Sequence, residues 1–126
     1  METSILVVSS DSEALAAVLD VLNTAGYQTN GASTFSEGKR LLSETNPDVL
    51  IADERLEAFN GMHLVLRGRY LDASLDAIVV TERDDRWLEA EARRLNVPCV
   101  VKPNDPREWL RVISETIGSA ETPTAA

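Results

Sequence analysis

Four short apolar runs in the chain each end on polar residues. The runs are Ile5-Leu6-Val7-Val8, Val49-Leu50-Ile51-Ala52, Ile78-Val79-Val80 and Cys99-Val100-Val101. The polar residues that follow them are Ser9, Asp53, Thr81 and Lys102. Short runs rich in β-branched residues are typical of strands buried on both faces of a parallel sheet. Because ligands of such sheets bind outside the carboxyl ends of the strands, we expect these polar side chains to share one edge.

Helical patterns separate the apolar runs. They predict helices over residues 11–25, 34–45, 61–70 and 84–95, and a last helix with Asp105 as its N-cap. Residues 27–32 predict a polar strand of the kind found at sheet edges, and residues 54–61 predict a loop. The alternation is (βα)₅, which predicts an α/β fold with a doubly wound parallel sheet and helices on both faces.

Capping patterns predict where these helices begin. Ser10-Asp11-Ser12-Glu13 has the spacing of a capping box, which favours a structural role for Ser10 over a role as a ligand. Thr81 has two interpretations. It could cap the following helix with Asp84 as its partner, or it could direct its hydroxyl towards an anion.

Composition limits the class of protein. The chain has 126 residues, 44% of them hydrophobic and 26% charged, which fits one globular domain without a membrane span. A formal net charge of -9 argues against direct binding to nucleic acid. A single cysteine and the lack of a secretory signal predict a cytoplasmic protein. We expect a domain over residues 1–118 and a disordered tail or linker remnant over residues 119–126.

Two charged residues that end strands are candidates for chemistry. Asp53 follows a buried strand, where a carboxylate either serves a function or caps a loop. Lys102 is either an ordinary surface lysine or an amine held in one direction by Pro103, since an X-Pro bond can be cis.

The sequence combines Asp53, Thr81 and Lys102-Pro103 with Gly61, which ends the predicted loop after Asp53. In this combination the chain resembles the receiver domain of two-component response regulators over about residues 4–118. The resemblance implies a flavodoxin-like sheet with strand order 2-1-3-4-5. It implies that Asp53 accepts a phosphoryl group from a histidine kinase and that Thr81 is the switch hydroxyl. It also implies that Lys102 pairs with the acceptor and the phosphoryl group, and that the Lys102-Pro103 bond can be cis.

The metal site departs from this family. Ser9 and Ser10 stand where the family normally has two acids that hold Mg²⁺, and neutral hydroxyls are poor replacements for carboxylates. We therefore expect no cofactor, or weakly bound Mg²⁺ held by Asp53, Asp11 and the carbonyl of Arg55.

The loops around the acceptor also depart from the family. Glu57 replaces a common proline, and Glu82 follows the switch hydroxyl where a small residue is usual. Arg55 and Arg83 allow two interpretations. They could hold the aspartate ionised without a metal, or they could be solvated loop residues paired with nearby acids. Cys99 takes the place of the switch aromatic, is too small to couple to a moving hydroxyl, and is expected to be a buried, inert thiol.

Two tryptophans lie in the last two helices. Trp109 fits the core, whereas Trp87 lies beside the apolar stripe and is the candidate for a partner surface. The implied partners are a histidine kinase or another signalling protein, with a possible homodimer through the last two helix–strand units.

Three hypotheses for function follow. The first in rank is a pseudo-receiver that signals through protein contacts. The second is a receiver phosphorylated on Asp53, whose only chemistry would be self-catalysed phosphoryl transfer. The third, a small nucleotide- or flavin-binding domain, is disfavoured because no Gly-rich loop follows the first strand.

Overall fold

A computed structural model describes residues 3–121, and strands and helices alternate along this range. The strands are β1 (Ser4–Val8), β2 (Gln28–Ala32), β3 (Val49–Asp53), β4 (Arg55–Leu56), β5 (Phe59–Asn60), β6 (Asp76–Thr81) and β7 (Cys99–Val101). The helices are α1 (Ser12–Thr24), α2 (Phe35–Thr45), α3 (Gly61–Leu71), α4 (Arg86–Arg94) and α5 (Glu108–Glu121).

Five of these strands form a parallel sheet in the order β2-β1-β3-β6-β7. Counting only the strands of this sheet along the chain, the order is 2-1-3-4-5, so the flavodoxin-like α/β fold expected from the sequence is confirmed. Successive strand residues point to opposite faces. Leu6 and Val8 face the core beneath α2, α3 and α4, whereas Ile5 and Val7 face the core beneath α1 and α5.

The segment after β3 was predicted to be a loop, and it is a small hairpin instead. Strands β4 and β5 pair antiparallel across a two-residue turn. The hairpin is anchored by Leu56, which is fully buried, and by Phe59, whose ring stacks on Phe35 with centroids 4.4 Å apart. Its turn is Glu57-Ala58, which lacks the Asn or Gly that normally marks such hairpins in a sequence.

Three predicted helix starts are wrong by a few residues. The N-cap of α1 is Asp11 rather than Ser10, and its carboxylate accepts hydrogen bonds from two backbone N–H groups. The N-cap of α4 is Asp85, so neither Thr81 nor Asp84 caps this helix.

The last helix also starts late. Asp105 accepts a bond from the N–H of Arg107 in a local turn, and α5 begins only at Glu108. A cap requires extended backbone at one residue, and neighbouring polar residues compete for that position.

The end of the domain also differs from the expectation. Helix α5 continues to Glu121, so the boundary expected at residue 118 falls inside it, and residues 122–126 of the expected tail lie outside the described residues. Residues 3–121 contain no cis peptide bond, so the Lys102-Pro103 bond is trans. Within the same range, no helix has both the length and the apolar character needed to cross a bilayer.

Arg69 joins the C-terminal ends of two helices. From α3, its guanidinium donates hydrogen bonds to the carbonyl oxygens of Leu75 (3.3 Å), Asn96 (3.1 Å) and Leu95. Leu95 and Asn96 lie at the end of α4, whose last carbonyls have no partner within the helix. One side chain therefore fixes the C-terminal end of α4 against α3.

We expect Arg69→Met to lower the free energy of unfolding by about 1–2 kcal/mol, because it removes charge-assisted bonds to carbonyls that are partly buried. Arg67→Met is the matched control, since this exposed residue lies on the same helix and makes no side-chain hydrogen bond within the described part of the chain. Urea unfolding measures both variants, and equal effects would contradict the role assigned to Arg69.

Candidate functional site

A cleft of about 620 Å³ opens at the carboxyl ends of the sheet strands. Its lining residues come from β3, β6 and the loops after β1, β3 and β6: Ser10, Asp11, Asp53, Glu54, Arg55, Val80, Thr81, Glu82, Arg83, Asp84 and Asp85. Asp53 and Thr81, which were singled out in the sequence, therefore face one cleft. Thr81 is buried there, only 6% exposed.

Ser9 contacts Asp53 directly. Its hydroxyl donates a 2.7 Å hydrogen bond to Oδ2 of Asp53 and accepts one of 3.2 Å from the N–H of Asp11. Its backbone N–H donates to the carbonyl of Ala32 at 3.0 Å, and the residue is only 5% exposed. Ser9 is thus fixed in the structure as the hydrogen-bond donor to the candidate acceptor.

The carboxyl group of Asp53 lies in a mixed environment. Burial raises its pKa above the ordinary aspartate value, and the charge of Glu82 raises it further. The Ser9 hydroxyl, the Lys102 charge and the backbone N–H of Ser10 act in the opposite direction and limit the rise in pKa. The balance shows that the positive charge around Asp53 does not compensate for its burial.

Lys102 does not form the expected ion pair with Asp53. Its backbone N–H donates to the carbonyl of Thr81 at 2.8 Å, which holds it beside β6. Its ammonium group lies 3.3 Å from Oδ2 of Asp11 and 3.9 Å from Oε1 of Glu82. These carboxylates are more exposed than Asp53, so the ammonium group stays near water at the rim of the cleft. The backbone N–H of Ala14 lowers the pKa of Asp11, and the Lys102 ammonium group lowers it further.

The two arginines of the loops do not surround the acceptor. Arg55 is 91% exposed and pairs with Glu54 at 3.5 Å, which agrees with the solvated alternative. Arg83 lines the cleft, but the cation that lowers the pKa of Asp53 is Lys102. An arginine-supported, metal-free aspartate is therefore not what the structure shows.

The backbone near Asp53 is held by a close approach. A Cβ added to Gly61 would lie 2.2 Å from the carbonyl oxygen of Asp53, so only glycine fits there. The N–H of Gly61 donates to the carbonyl of Glu54 at 2.9 Å. Glu57 has a φ of 59°, which proline cannot adopt, so a proline would not fit this turn.

The donor set of this cleft does not fit a divalent metal ion. Among the described residues, no three His, Cys, Asp or Glu side chains are grouped so that they could hold one. One oxygen of Asp53 already accepts the Ser9 hydroxyl, and Asp11 is occupied by helix N–H groups and by Lys102. Mg²⁺ prefers carboxylate oxygens and retained waters, and the carboxylates that follow β1 and end β3, those of Asp11 and Asp53, are already engaged.

The remaining candidates lie outside the cleft. Cys99 is half-buried, and burial together with nearby acids raises the pKa of its thiol, which makes it less reactive. Trp109 is 3% exposed and belongs to the core, whereas Trp87 is 88% exposed. The contact between Ser9 and Asp53 was missed in the sequence, although both residues follow the buried runs of strands that are neighbours in the sheet.

The chain matches the model of a known protein family. Residues 5–114 match the model of the response regulator receiver domain. This range includes Ser9, Asp53, Thr81 and Lys102, so the match spans every residue of the cleft described above.

Individual relatives agree with this match. Transcriptional regulatory protein PrrA of Mycobacterium leprae is 31% identical over 91 residues, which are 70% of this chain and 39% of the relative. Sporulation initiation phosphotransferase F of Bacillus subtilis is 22% identical over 75% of this chain and 77% of its own length. The chain thus spans about two fifths of the first of these relatives.

Solved structures support the fold. A crystal structure of a CheY-like response regulator receiver domain protein from Methanospirillum hungatei JF-1 superposes with a TM-score of 0.87 at 23% identity. The superposition covers 97% of this chain and 98% of that one. At this level of identity the similarity shows the fold.

We expect Ser9→Ala to raise the pKa of Asp53 further, because the carboxylate loses its closest hydrogen-bond donor. Ser10→Ala is the matched control, since Ser10 acts on Asp53 through its backbone N–H, which this substitution retains. Carboxyl ¹³C NMR titration measures the pKa. An unchanged pKa in Ser9→Ala would contradict the role assigned to the hydrogen bond.

We expect Asp53→Asn to raise stability at neutral pH. Because the pKa of Asp53 is higher in the folded than in the unfolded chain, the folded chain binds more protons between the two values, and stability falls as pH rises through that interval. The amide removes this penalty and can still accept the Ser9 hydroxyl. Denaturant unfolding from acid to neutral pH should show the gain vanishing below the unfolded-state pKa.

A control with the opposite sign is available. Hydrogen bonds from Ser74 lower the pKa of Asp72, so the ionised carboxylate stabilises the native chain as pH rises. Asp72→Asn lacks this gain and is therefore expected to be less stable than the native chain at neutral pH, by a difference that shrinks in acid. A pH-independent difference between Asp53→Asn and the native chain would contradict the assigned cost of burying the charge.

Proposed function

The chain belongs to the response regulator receiver domain family, and from this premise we propose that it is an atypical receiver that signals through protein contacts. In this proposal metal-dependent phosphorylation of Asp53 is impaired. The domain then acts as a two-component signalling module whose state depends on a partner rather than on a phosphoryl group.

The hydrogen bond between Ser9 and Asp53 is the single observation that carries this proposal. Phosphoryl transfer needs cations that neutralise the charge developing between nucleophile and donor. Here a neutral hydroxyl occupies one oxygen of the acceptor, and the nearest ammonium group is shared by Asp11 and Glu82. The acceptor is therefore held as a partly buried carboxyl group without the charge compensation that this chemistry requires.

The partners in this proposal are a histidine kinase or another signalling protein, and a homodimer across α4, β7 and α5 is included in it. The related PrrA proteins are named transcriptional regulators, and this chain spans 39% of them, so an output on DNA would belong to a separate domain. The net charge of -9 makes this domain itself a poor ligand for a polyanion.

The second candidate is a receiver that is phosphorylated on Asp53, and one observation favours it. Thr81 is buried on the same cleft as Asp53, where its hydroxyl could bind a phosphoryl oxygen. In that reaction the P–N bond of a phosphohistidine breaks, and a P–O bond forms to the carboxylate. Lys102 would have to leave Asp11 and Glu82 to assist it.

Incubation with acetyl phosphate, with and without Mg²⁺, separates the two candidates. We expect intact-mass spectrometry to show no Mg²⁺-dependent phosphoryl adduct on the native chain, because no three acidic side chains of the described residues are grouped so that they could hold the cation. Asp53→Asn is the control for the site of any adduct. A Mg²⁺-dependent adduct that this substitution abolishes would establish the phosphorylated receiver instead.

The double substitution Ser9→Asp and Ser10→Asp tests the same explanation by a gain of Mg²⁺ binding. It restores two carboxylates to the loop after β1, and titration calorimetry is expected to show that it gains Mg²⁺ binding. Ser12→Asp, which adds a charge outside the cleft, is the matched control. If the double variant gains no more binding than this control, the explanation of the metal defect is wrong.

A further inference from the structure

A second cavity lies between two helices beside the Asp53 cleft. We call it the α3–α4 groove, and its volume is about 550 Å³. It is lined by Glu54, Asn60, Met62, Asp85, Trp87, Leu88, Ala90, Glu91 and Arg94. Glu54 and Asp85 line the Asp53 cleft as well, so the two cavities are neighbours that share part of their lining.

The groove extends along the whole of α4, from Asp85 to Arg94. Arg69 joins α3 to α4 at their C-terminal ends, as described above. The groove residues on the α3 side, Asn60 and Met62, lie at its N-terminal end. Helix α4 follows the parallel strand β6, and α3 follows the hairpin at the end of β3, so the N-terminal ends of both helices lie at the edge of the sheet that carries Asp53.

The groove offers an apolar anchor point. Along α4, Trp87, Ala90, Glu91 and Arg94 follow one another at helical spacing and form one wall. Trp87 is 88% exposed although it is the largest side chain of this helix, and Met62, which lines the groove from α3, is buried. Exposed tryptophans beside a concavity are typical of interface hot spots.

The charges of the groove select the chemistry of its occupant. Its lining carries three carboxylates, from Glu54, Asp85 and Glu91, and one cation, from Arg94. In the described part of the chain, Glu91 forms no ion pair within 4.0 Å, while Asp85 is engaged as the cap of α4. With the net charge of -9, this arrangement attracts a basic partner.

We propose that the α3–α4 groove docks a basic segment of a partner protein, with an apolar side chain of that segment packed on Trp87 and a Lys or Arg paired with Glu91. The occupant is a partner rather than a second copy, because a second copy would bring nine further net negative charges to an acidic groove. The proposal deepens the proposed function, and rests on it for the idea that the domain signals through protein contacts.

Selection from a phage-displayed library of random dodecapeptides tests the proposal. The native chain is immobilised, and the selected sequences are expected to be enriched in Lys and Arg beside aromatic or aliphatic residues. Synthetic copies of these peptides are expected to lose about tenfold or more in affinity when Trp87→Ala or Glu91→Lys is introduced. Failure to select peptides, or the selection of acidic ones, would overturn the proposal.

Tyr70→Ala is the matched control, because Tyr70 is an aromatic residue of α3 with 87% exposure that does not line the groove. Its affinity for the peptides is expected to be unchanged. An equal loss of peptide affinity in Tyr70→Ala and Trp87→Ala would indicate nonspecific binding to exposed aromatic residues and overturn the assignment to the groove. Sedimentation velocity tests the alternative occupant, a second copy of the chain. Self-association that Trp87→Ala abolishes would assign the groove to that second copy.

The peptide measurements use no phosphodonor and no Mg²⁺, and they are repeated on Asp53→Asn. A Mg²⁺-dependent adduct with acetyl phosphate would refute the proposed function while leaving peptide affinity intact. Loss of the peptide result with no adduct formed would refute the docking proposal alone.

Discussion

The parallel pairing of β1 with β3 determines the geometry of the cleft. In this register Val8 lies opposite Ala52, so the next residues along the two strands, Ser9 and Asp53, lie side by side where the strands end. The backbone of Ser9 is also bonded to β2 through Ala32. A hydroxyl fixed by two neighbouring strands has little freedom to leave the carboxylate, and its 2.7 Å bond to Asp53 is a direct consequence of the sheet.

The positions of the charged groups in the cleft do not follow from the register of β1 and β3 alone. A buried carboxylate loses hydration, and a nearby cation normally compensates for the loss. Here the ammonium group of Lys102 lies at the hydrated rim with Asp11 and Glu82, while Asp53 retains a neutral donor. Burial of Asp53 therefore outweighs the stabilisation of its carboxylate by Ser9 and Lys102, which explains its raised pKa and supports the proposal that its phosphorylation is impaired.

The sequence predicted the fold well because strand burial leaves a direct pattern. Ile5 to Val8 are apolar at every position, as a strand covered on both faces requires. Helix starts were predicted less well, because Ser10 and Asp11 are adjacent and only the backbone angles decide which one caps. The partners of Lys102 were not predictable either. A long side chain reaches several acids, and its choice depends on where Asp11 and Glu82 lie in three dimensions.

Asp85 lines both cavities, and the free energy of the helix cap that it forms limits how strongly binding in one cavity can affect binding in the other. It caps α4 through the N–H groups of Trp87 and Leu88 and lines both the cleft and the groove. Since Arg69 holds the other end of the helix, a change at either cavity would act on α4 mainly at this cap. A cap of this kind contributes about 1 kcal/mol, so coupling through Asp85 alone would change affinity about fivefold, and equally in both directions.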